Sequence, residues 1–360
     1  MIGSFARSIR QRLGKQSSPE LYYIAPGVNW ILDWIGTYIT GEVERQFGLK
    51  AHAVNTASGL SNQILHYASL WEMAGYVHTK LSERNANVGT IFHGLKDAPL
   101  FQEAIDTVLA NEKKFAKVHT ASKIMEERLI AWGIPAQKLV RIPLGVDLKW
   151  FRPAGLEKKA ERRKELGIPE DAICIGSFHK DGVGREEGNE PKLIKGPDVL
   201  LKVIEKVHKA HPVFVLLSAP ARGYVKAGLE RAGVPYRHIV LDDYLQIPGL
   251  YQALDIYLMT SREEGGPNGV LEAMATGIPV VATRVGMVPD LIDSGVNGLV
   301  VESEDVDGLA ACVTQLIAQP ELRQQLLEQG LQTIQDYDWV QIAARYYHEI
   351  YRPILDEITP

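Results

Sequence analysis

The segment SREEGGPNGVLEAMATG, which runs from Ser261 to Gly277, contains two glutamates eight positions apart. Glu264 lies among glycine and proline residues that favour a turn, whereas Glu272 lies in a helical pattern that starts near Gly269. The apolar residues of that pattern recur at spacings of three and four, and Glu272 does not belong to their stripe. Small residues follow Glu272, so we expect its carboxylate to have room to meet a ligand.

The backbone at the start of this helix is expected to bind an anion. The N–H groups of Asn268, Gly269 and Val270 would have no partner within the helix, and unpaired amides at a helix N-terminus attract negative charge. Carboxylates that accept hydrogen bonds from hydroxyls, next to amides that bind phosphate, suit a nucleotide-sugar. A capped helix with two solvated glutamates is the alternative interpretation. The nucleotide-sugar hypothesis requires that neither carboxylate be sealed beneath apolar atoms and that a gap separate two lobes.

Several further motifs occur along the chain. They are ILDWIGTYITGE from Ile31, TIFHG from Thr90, IPLGVD from Ile142, KGPDVLL from Lys195, ALDIYLMT from Ala253 and SGVNGLVV from Ser294. Together with the glutamate segment they resemble the retaining glycosyltransferases of family 4, closely from about Ala116 to Pro360 and less closely before that. The resemblance implies an α/β protein of the GT-B fold, with two Rossmann-like, doubly wound domains facing across a cleft. It also implies transfer of a sugar from a nucleoside-diphosphate donor to an acceptor, with the anomeric configuration kept.

The same resemblance assigns roles to individual residues. Lys195 would neutralise the donor phosphates, Glu264 would lie near the transferred sugar, and Glu272 would accept from the ribose hydroxyls. His93 would face the sugar from the other domain, so the candidate catalytic residues are His93, Lys195 and Glu264. The candidate donor-binding residues are Gly27, Lys192, Lys195, Glu264, Gly266, Asn268, Gly269, Val270 and Glu272. No metal and no cofactor is expected, so the protein itself would neutralise the diphosphate.

The local sequence supports two of these roles independently of the resemblance. Lys195 precedes Gly196 and Pro197 at the start of a helical pattern, where a lysine and the helix dipole can meet a diphosphate together. His93 follows a strand-like run, and ligands in open α/β sheets bind beyond the carboxyl ends of the strands. An ordinary surface lysine and a structural histidine are the alternatives. Glu263 is expected to face away from the site, and we assign it no role.

The chain departs from family 4 at two places. Relatives often have two glycines after the first strand, where the backbone would approach the donor phosphates, whereas this chain has only Gly27 in PGVNW. The second departure follows Gly176. Relatives usually carry an arginine directly after the glycine that ends the first strand of the second domain, whereas this chain has Ser177 after Gly176. A long loop follows, and we expect Lys192, or else Lys180, to restore the second positive charge by folding back. Arg185 is a further candidate, and the alternative is that none of the three reaches the site.

Composition restricts the classes of protein that fit. The chain has 360 residues, of which 46% are hydrophobic and 23% charged, as is typical of a globular protein with two domains. Its net charge of -5 does not indicate nucleic-acid binding. Cys174 and Cys312 are the only cysteines, and we expect buried thiols in a reducing compartment. The pair Asp305 and Asp307 resembles a metal-binding motif, but the apolar helical run after it favours an N-cap.

Residues 1–16 differ in character from the rest. Ile2, Phe5, Ile9 and Leu13 recur at helical spacing, and the charged residues among them are all basic. Such a helix can lie on an anionic membrane surface, which would place the protein on the inner face of the membrane and favour a lipid-linked acceptor. A solvated or loosely docked terminal helix is the interpretation that we favour. No apolar run reaches the ~18 residues of a membrane span, and we expect a cytoplasmic location.

Strand-like runs alternate with helical patterns, as in a doubly wound parallel sheet. We expect strands at residues 21–25, 64–68, 90–92, 139–142, 172–176, 213–218, 238–241, 256–259 and 278–282, and helices at 30–47, 123–132, 197–210, 320–334 and 339–351. Proline and glycine cluster in residues 143–153, which we take as the domain boundary. The predicted parts are a basic N-terminal segment (1–18), an acceptor-side domain (19–148), a donor-binding domain (149–336) and a C-terminal helix (337–360). By resemblance, this last helix crosses back onto the first domain.

The leading hypothesis is a metal-independent retaining glycosyltransferase that acts on a glycan, a lipid-linked or a small-molecule acceptor. In this mechanism the departing phosphate takes the acceptor proton, and stabilisation of the leaving group is the main contribution to catalysis. The alternative is a non-catalytic nucleotide-sugar sensor, or a membrane-associated scaffold, with the same fold. Ser177 in place of arginine keeps that alternative open.

Overall fold

Two parallel sheets of six strands each form the frame of the protein. The structure is a computed structural model, and it describes residues 18–28, 31–77, 84–184 and 186–358. The basic segment 1–16, Trp30 and Arg185, for which the sequence makes predictions, lie outside the described residues. Two sheets of this kind confirm the predicted pair of Rossmann-like, doubly wound α/β domains.

The first sheet has the strand order β2-β1-β3-β4-β5-β6. Its strands are β1 (Leu21–Ile24), β2 (Ala51–Val54), β3 (Ile64–Tyr67), β4 (Ala86–Thr90), β5 (Lys117–Thr120) and β6 (Leu139–Arg141). The helices between them are α1 (Ile31–Phe47), α2 (Leu70–Val77), α3 (Pro99–Ala110) and α4 (Lys123–Ala131). All four residues of β3 are buried, as expected for a parallel strand covered by helices on both faces.

The second sheet has the strand order β12-β11-β10-β7-β8-β9. Its strands are β7 (Ile173–Ser177), β8 (Val213–Ser218), β9 (Tyr236–Ile239), β10 (Ile256–Met259), β11 (Val280–Thr283) and β12 (Leu299–Val301). The accompanying helices are α5 (Leu156–Glu165), α6 (Pro197–His208), α7 (Gly223–Ala232), α8 (Pro248–Tyr251), α9 (Asn268–Ala275), α10 (Val288–Leu291), α11 (Val306–Ala318) and α12 (Pro320–Thr333). Single 3-10 turns occur at Glu112–Lys114, Ala136–Lys138, Leu193–Lys195, Tyr244–Gln246 and Ile334–Tyr337.

The chain ends in a nearly continuous helical segment. It consists of α13 (Trp339–Tyr346), one turn of π-helix (Tyr347–Tyr351) and α14 (Arg352–Ile358). None of the helices among the described residues is both long enough and apolar enough to cross a membrane.

Most predicted elements of the second domain are confirmed within two residues, but both domains contain elements that the sequence analysis missed. These are β2, α2, α3 and β5 in the first domain and α5, α7, α8, α10 and β12 in the second. Strand β2 is an edge strand with two exposed residues, so it shows no apolar run. The strand predicted at 90–92 is misplaced, because β4 ends at Thr90 and contains Asn87 and Gly89. Parallel pairing with β3 and β5 makes this segment a strand despite its low intrinsic propensity.

Two predicted helix caps are confirmed. The Ser122 hydroxyl accepts a hydrogen bond from the Met125 N–H at the start of α4, over 3.2 Å. Asp305 accepts from the Gly308 N–H at the start of α11, over 2.8 Å, which favours the capping interpretation over a metal site. Cys174 is buried as predicted, whereas Cys312 is only partly buried.

The C-terminal segment packs on the first domain. The Trp339 ring stacks on Tyr38 of α1 with centroids 5.4 Å apart. Farther along, the Tyr351 hydroxyl lies 2.7 Å from Nδ1 of His66 on β3, and both side chains are fully buried. The C-terminal segment therefore completes the core of the first domain.

We predict that Trp339→Ala destabilises the protein by about 3–5 kcal/mol, the usual cost of removing a buried Trp. The ring is 95% buried, and it fills the space beside Gly145, where a Cβ would lie 2.6 Å from the indole. Urea unfolding of the variant measures the loss. Trp150→Ala is the control, because Trp150 is half exposed. Equal losses in the two variants would contradict the proposed importance of this contact.

Candidate active site

Lys195 and Glu264 form an ion pair at the carboxyl edge of the second sheet. Lys195 Nζ lies 2.7 Å from Glu264 Oε1, and both side chains are largely buried. Lys195 closes the 3-10 turn before α6, and the next residue, Gly196, has φ 63°. A Cβ on Gly196 would lie 1.9 Å from the Thr260 carbonyl oxygen, so only glycine permits this approach. The close approach brings Lys195 against the loop after β10, where Glu264 lies.

The ion pair keeps Glu264 ionised. Burial alone would raise the pKa of this carboxyl, but the charge and hydrogen bond of Lys195 outweigh it and lower the pKa. The Ser261 hydroxyl also donates to Oε1, over 2.9 Å. Within the part of the chain that the structure describes, no hydrogen bond reaches Oε2, so this oxygen can accept from a ligand.

His93 is the first-domain residue at this site. It lies three residues after β4, and its ring meets the edge of Phe101 with centroids 5.3 Å apart. Burial, and then the charge of Lys195, lower the pKa of His93 to about 4. Its Nδ1 is buried and finds no hydrogen-bond partner among the described residues. His93 therefore presents a neutral imidazole to the Lys195–Glu264 pair.

Lys192 also belongs to this group. Burial and the neighbouring charge of Lys195 lower the pKa of Lys192, while Glu264 acts in the opposite direction. Its backbone N–H donates to the Asp181 carbonyl over 2.7 Å, which anchors the residue in the loop before α6. Of the predicted replacements for the missing arginine, Lys192 lies close enough to affect the pKa of His93. Lys180 is a charged neighbour of Lys192.

Behind this loop lies a buried ion pair that the sequence analysis missed. Arg222 and Asp181 are fully buried, with Nε and Oδ1 2.9 Å apart. Arg222 also donates from Nη1 to the Ser177 carbonyl, over 2.6 Å, and from Nη2 to its hydroxyl, over 3.2 Å. A positive charge therefore lies next to Ser177, but it comes from the start of α7 and holds the loop instead of entering the site. No local pattern in the sequence connects these residues.

His179 is a second neutral imidazole that was not predicted. Burial, and then the charge of Arg222, lower the pKa of His179 to about 3, and Glu264 and Lys195 also act on it. The neighbouring backbone of Lys195 acts on this pKa in the opposite direction. Nε2 of the ring is buried and has no hydrogen-bond partner in the described ranges.

The structure contradicts the expectation that Glu272 has room for a ligand. Glu272 is only 4% exposed, and its carboxylate accepts hydrogen bonds from the hydroxyls of Tyr244 and, over 2.7 Å, Tyr251. The adjoining cavity has a volume of about 10 Å³, which holds at most one water. It is lined by Ile31, Trp34, Ile35, Tyr38, Gly145, Val146, Asp147, Phe151, Tyr244, Asn268, Glu272 and Trp339. Aromatic rings from both domains close the space between the lobes here, so the expectation of a gap is wrong at this point. Hydroxyls rather than apolar atoms cover the carboxylate.

The start of α9 provides fewer free amides than predicted. The Val270 N–H donates to the Pro267 carbonyl over 2.9 Å, so the expectation of an unpaired amide at Val270 is wrong. A short 3-10 contact forms because Pro267 occupies the N-cap position. The amides of Asn268 and Gly269 donate to no acceptor among the described residues. Oδ1 of Asn268 is also buried and unpartnered within the same residues, beside the small cavity.

The two glycines after Glu264 contact the first domain. A Cβ on Gly265 would lie 2.4 Å from the Phe92 Cβ, and a Cβ on Gly266 would lie 2.5 Å from Leu144. A larger residue at position 265 would meet the Phe92 backbone and push the domains apart, whereas at position 266 it would meet only the end of the Leu144 side chain, which can shift. A role of Gly266 in donor binding stays a prediction. Glu263 also faces the first domain, where it accepts from Arg128.

Gly27 lies at a larger cavity, of about 660 Å³, on the first domain. Its N–H donates to Asp33 over 2.8 Å, and the Val28 N–H donates to the other oxygen of the same carboxylate over 3.1 Å. The backbone at Gly27, which was expected to approach the donor phosphates, therefore binds a carboxylate of the chain itself. Asn55 and Thr56 line the same cavity. No group of three potential metal ligands occurs in the described part of the chain.

Comparison with known proteins supports the resemblance found in the sequence. Residues 188–319 match the family model described as Glycosyl transferases group 1. The D-inositol 3-phosphate glycosyltransferase of Corynebacterium jeikeium is 26% identical over 324 residues, which cover 86% of this chain and 74% of the relative. The match and the relative confirm the resemblance to the group 1 glycosyltransferases. The chain is therefore a glycosyltransferase, as the resemblance implied.

Solved structures of similar fold agree with this assignment. HepE of Anabaena, in complex with UDP and glucose, superposes with a TM-score of 0.74 at 17% identity, covering 93% of this chain and 100% of HepE. A glycosyltransferase from Rickettsia africae superposes with a TM-score of 0.70 at 18% identity, covering 94% of this chain and 99% of that protein. These neighbours extend over both domains of this glycosyltransferase and confirm the GT-B fold.

We predict that His93 titrates with a midpoint of about 4, well below the ordinary histidine value, because it is buried beside Lys195. Replacing Lys195 with Met removes a neighbouring positive charge and should raise that midpoint. Imidazole ¹H–¹⁵N spectra recorded against pH measure it, and the His93→Gln variant assigns the signal by its loss. A midpoint near 6.5 in the unchanged protein would contradict the description of this site.

Proposed function

We propose that this glycosyltransferase is a family 4 enzyme that moves a sugar from a nucleoside-diphosphate donor to a hydroxyl acceptor, without a metal ion and with retention of configuration. The observation that carries the proposal is the buried Lys195–Glu264 pair, with Lys192 beside it and the neutral His93 opposite. A structure of the neighbour HepE holds UDP and glucose, and this supports a nucleotide-sugar donor here.

The charges of this group suit a diphosphate. Two ammonium groups, of Lys192 and Lys195, face one carboxylate, of Glu264, so the group has an excess of one positive charge. The free amides of Asn268 and Gly269 add the partial positive charge of a helix N-terminus. A doubly charged leaving group would bind here, because fixed positive groups of the protein replace the water that it loses on burial. Its binding would also favour the protonated form of Lys192.

In the proposed reaction, the bond between the sugar C1 and the phosphate oxygen breaks as the acceptor oxygen attacks C1 from the same face. The acceptor proton passes to the departing phosphate oxygen, so no protein nucleophile is required. Lys195 stabilises the charge that develops on that oxygen. Oε2 of Glu264 accepts from a sugar hydroxyl, and the neutral His93 forms a hydrogen bond with the sugar from the other domain.

Binding of the nucleoside requires a local rearrangement. A ribose that donates to Glu272 has to replace the tyrosine hydroxyls that now donate to that carboxylate. We expect the side chain of Tyr244 to move, because it lies between Glu272 and Trp34 of the first domain. The Tyr244 and Trp34 ring centroids are 5.4 Å apart. Glu272 would then exchange one hydroxyl partner for another, which keeps the buried carboxylate hydrogen-bonded throughout.

The acceptor is proposed to enter from the first domain. The cavity beside Gly27 is large enough for a sugar-sized group, and Asp33, Asn55 and Thr56 offer hydrogen-bonding groups at its wall. The base, the sugar, the cytoplasmic location and a membrane contact of residues 1–16 remain predictions. A non-catalytic sensor is not favoured, because the similar proteins above are glycosyltransferases.

We predict that Lys195→Met and Glu264→Gln each lower turnover by about 10- to 150-fold, since a hydrogen bond to a charged group contributes about 1.5–3 kcal/mol. Release of labelled sugar from the donor measures turnover. Lys206→Met is the control, because Lys206 pairs with Asp307 on the surface. Near-normal turnover in either site variant, with the control unchanged, would refute the assignment.

A screen of UDP, GDP and ADP tests the donor class. The nucleotide that matches the donor should stabilise the protein by about 2.7 kcal/mol at 100 times its dissociation constant, visible as a higher melting temperature. Tyr244→Phe should bind it more tightly, because the hydroxyl that competes for Glu272 is removed. Tyr236→Phe is the matched control, since that hydroxyl donates to Glu230 on the surface. If none of the three nucleotides raises the melting temperature, the proposed donor class is contradicted.

A further inference from the structure

Glu263 connects the two domains of the protein. Its side chain is only 5% exposed, and Oε1 accepts from Arg128 Nη1 over 2.6 Å and from the Gly94 N–H over 3.2 Å. Arg128 Nη1 also donates to the Gly94 carbonyl, over 3.1 Å. Glu263 follows β10 of the second domain, whereas Arg128 lies on α4 and Gly94 follows β4, both in the first domain. A buried carboxylate of one domain is thus hydrogen-bonded to the other.

These contacts lie next to each of the candidate catalytic residues. Gly94 directly follows His93, and Glu264 directly follows Glu263. The Glu263 N–H donates over 3.1 Å to the carbonyl of Ile194, the residue before Lys195. Glu263 is therefore hydrogen-bonded to the backbone next to His93 and next to Lys195, and it is itself the sequence neighbour of Glu264.

The backbones of the two domains are also in contact at this point. Where Gly265 lies against Phe92, a Cβ would come within 2.5 Å of the Phe92 carbonyl oxygen. No side chain separates the domains there, so a small rotation of one domain would break the hydrogen bonds to Glu263. Arg128 remains 30% exposed, which lets water replace the carboxylate when the domains separate.

We propose that Glu263 and Arg128 form an interdomain latch that holds the domains closed and positions His93 against the Lys195–Glu264 pair. Glu263 is a positioning residue in this proposal, because it acts through its neighbours and touches no reacting atom. Its effect on catalysis rests on the proposed function, whereas its effect on closure does not.

The latch predicts a specific kinetic effect. The donor phosphates are proposed to bind to groups of the second domain, so loss of the latch should leave the KM for the donor within about threefold of normal. Alignment of His93 requires closure, and the turnover number should therefore fall at least tenfold. A residue that only stabilises the fold would change the melting temperature without this separation of kcat from KM.

The test uses Glu263→Gln, Arg128→Met and the double variant in the full chain. Steady-state kinetics with labelled donor give kcat and KM, and X-ray scattering in solution, with and without UDP, gives the radius of gyration. We expect a larger radius and a lower kcat in each single variant, and no further loss in the double variant. Glu126→Gln is the control, because that carboxylate lies on the same helix and accepts from Arg141 over 2.9 Å within the first domain.

The outcomes separate the latch from the proposed function. Single variants with the normal radius and normal kcat would overturn the latch, even if Lys195→Met confirms the catalytic assignment. A parent protein without turnover would overturn the function, and the scattering comparison would still decide whether the latch exists. If Glu263→Gln fails to fold, Arg128→Lys provides the same comparison with the charge kept. Normal kcat and a normal radius in both Arg128→Lys and Arg128→Met would then refute the proposal.

Discussion

The rest of the site depends on the buried ion pair between Lys195 and Glu264. An isolated charge out of water carries a large desolvation cost, and the pairing of Lys195 with Glu264 offsets that cost. One tight backbone contact, of Gly196 against Thr260 at the start of the loop after β10, brings the two partners together. The pair cancels one positive charge, so Lys192 supplies the excess that an anion can use. Removal of either partner would therefore change the electrostatics of all the neighbouring groups.

The second glutamate of the motif shows a different way to keep a carboxylate under the surface. Burial raises the pKa of Glu272, and two tyrosine hydroxyls lower it by donating to its oxygens. Buried acceptors without donors are rare because each costs several hydrogen bonds to water. The Glu272 carboxylate is thus hydrogen-bonded by the protein itself. The short distance between lobes at Tyr244 and Trp34 is part of the same arrangement.

Local patterns predicted much of the fold, and the limits of the prediction have physical causes. The caps at Ser122 and Asp305 and the helix after Lys195 depend on neighbours in sequence, and the structure contains them. The placement of Glu263, by contrast, depends on Arg128, which is 135 residues away. Spacing in one sequence carries no information about such a contact.

The same reasoning applies to the residues around Ser177. The family pattern predicts a second cation near the site, and the loop after Ser177 supplies Lys192. Arg222 could not be anticipated, because its partner Asp181 is reached only through the fold of that loop. Strand β2 escaped notice for a simpler reason, since an edge strand with exposed residues has no continuous apolar run.

The return of the C-terminal segment to the first domain has a consequence for synthesis on the ribosome. Tyr346 and Tyr351 fill the interior beside β3 and β5, yet they are translated only after the whole second domain. The opening domain therefore emerges with part of its interior missing and stays incomplete while the whole second domain is made. Folding of the two halves cannot be strictly sequential, and a nascent chain arrested before these tyrosines would expose the apolar surface that they cover.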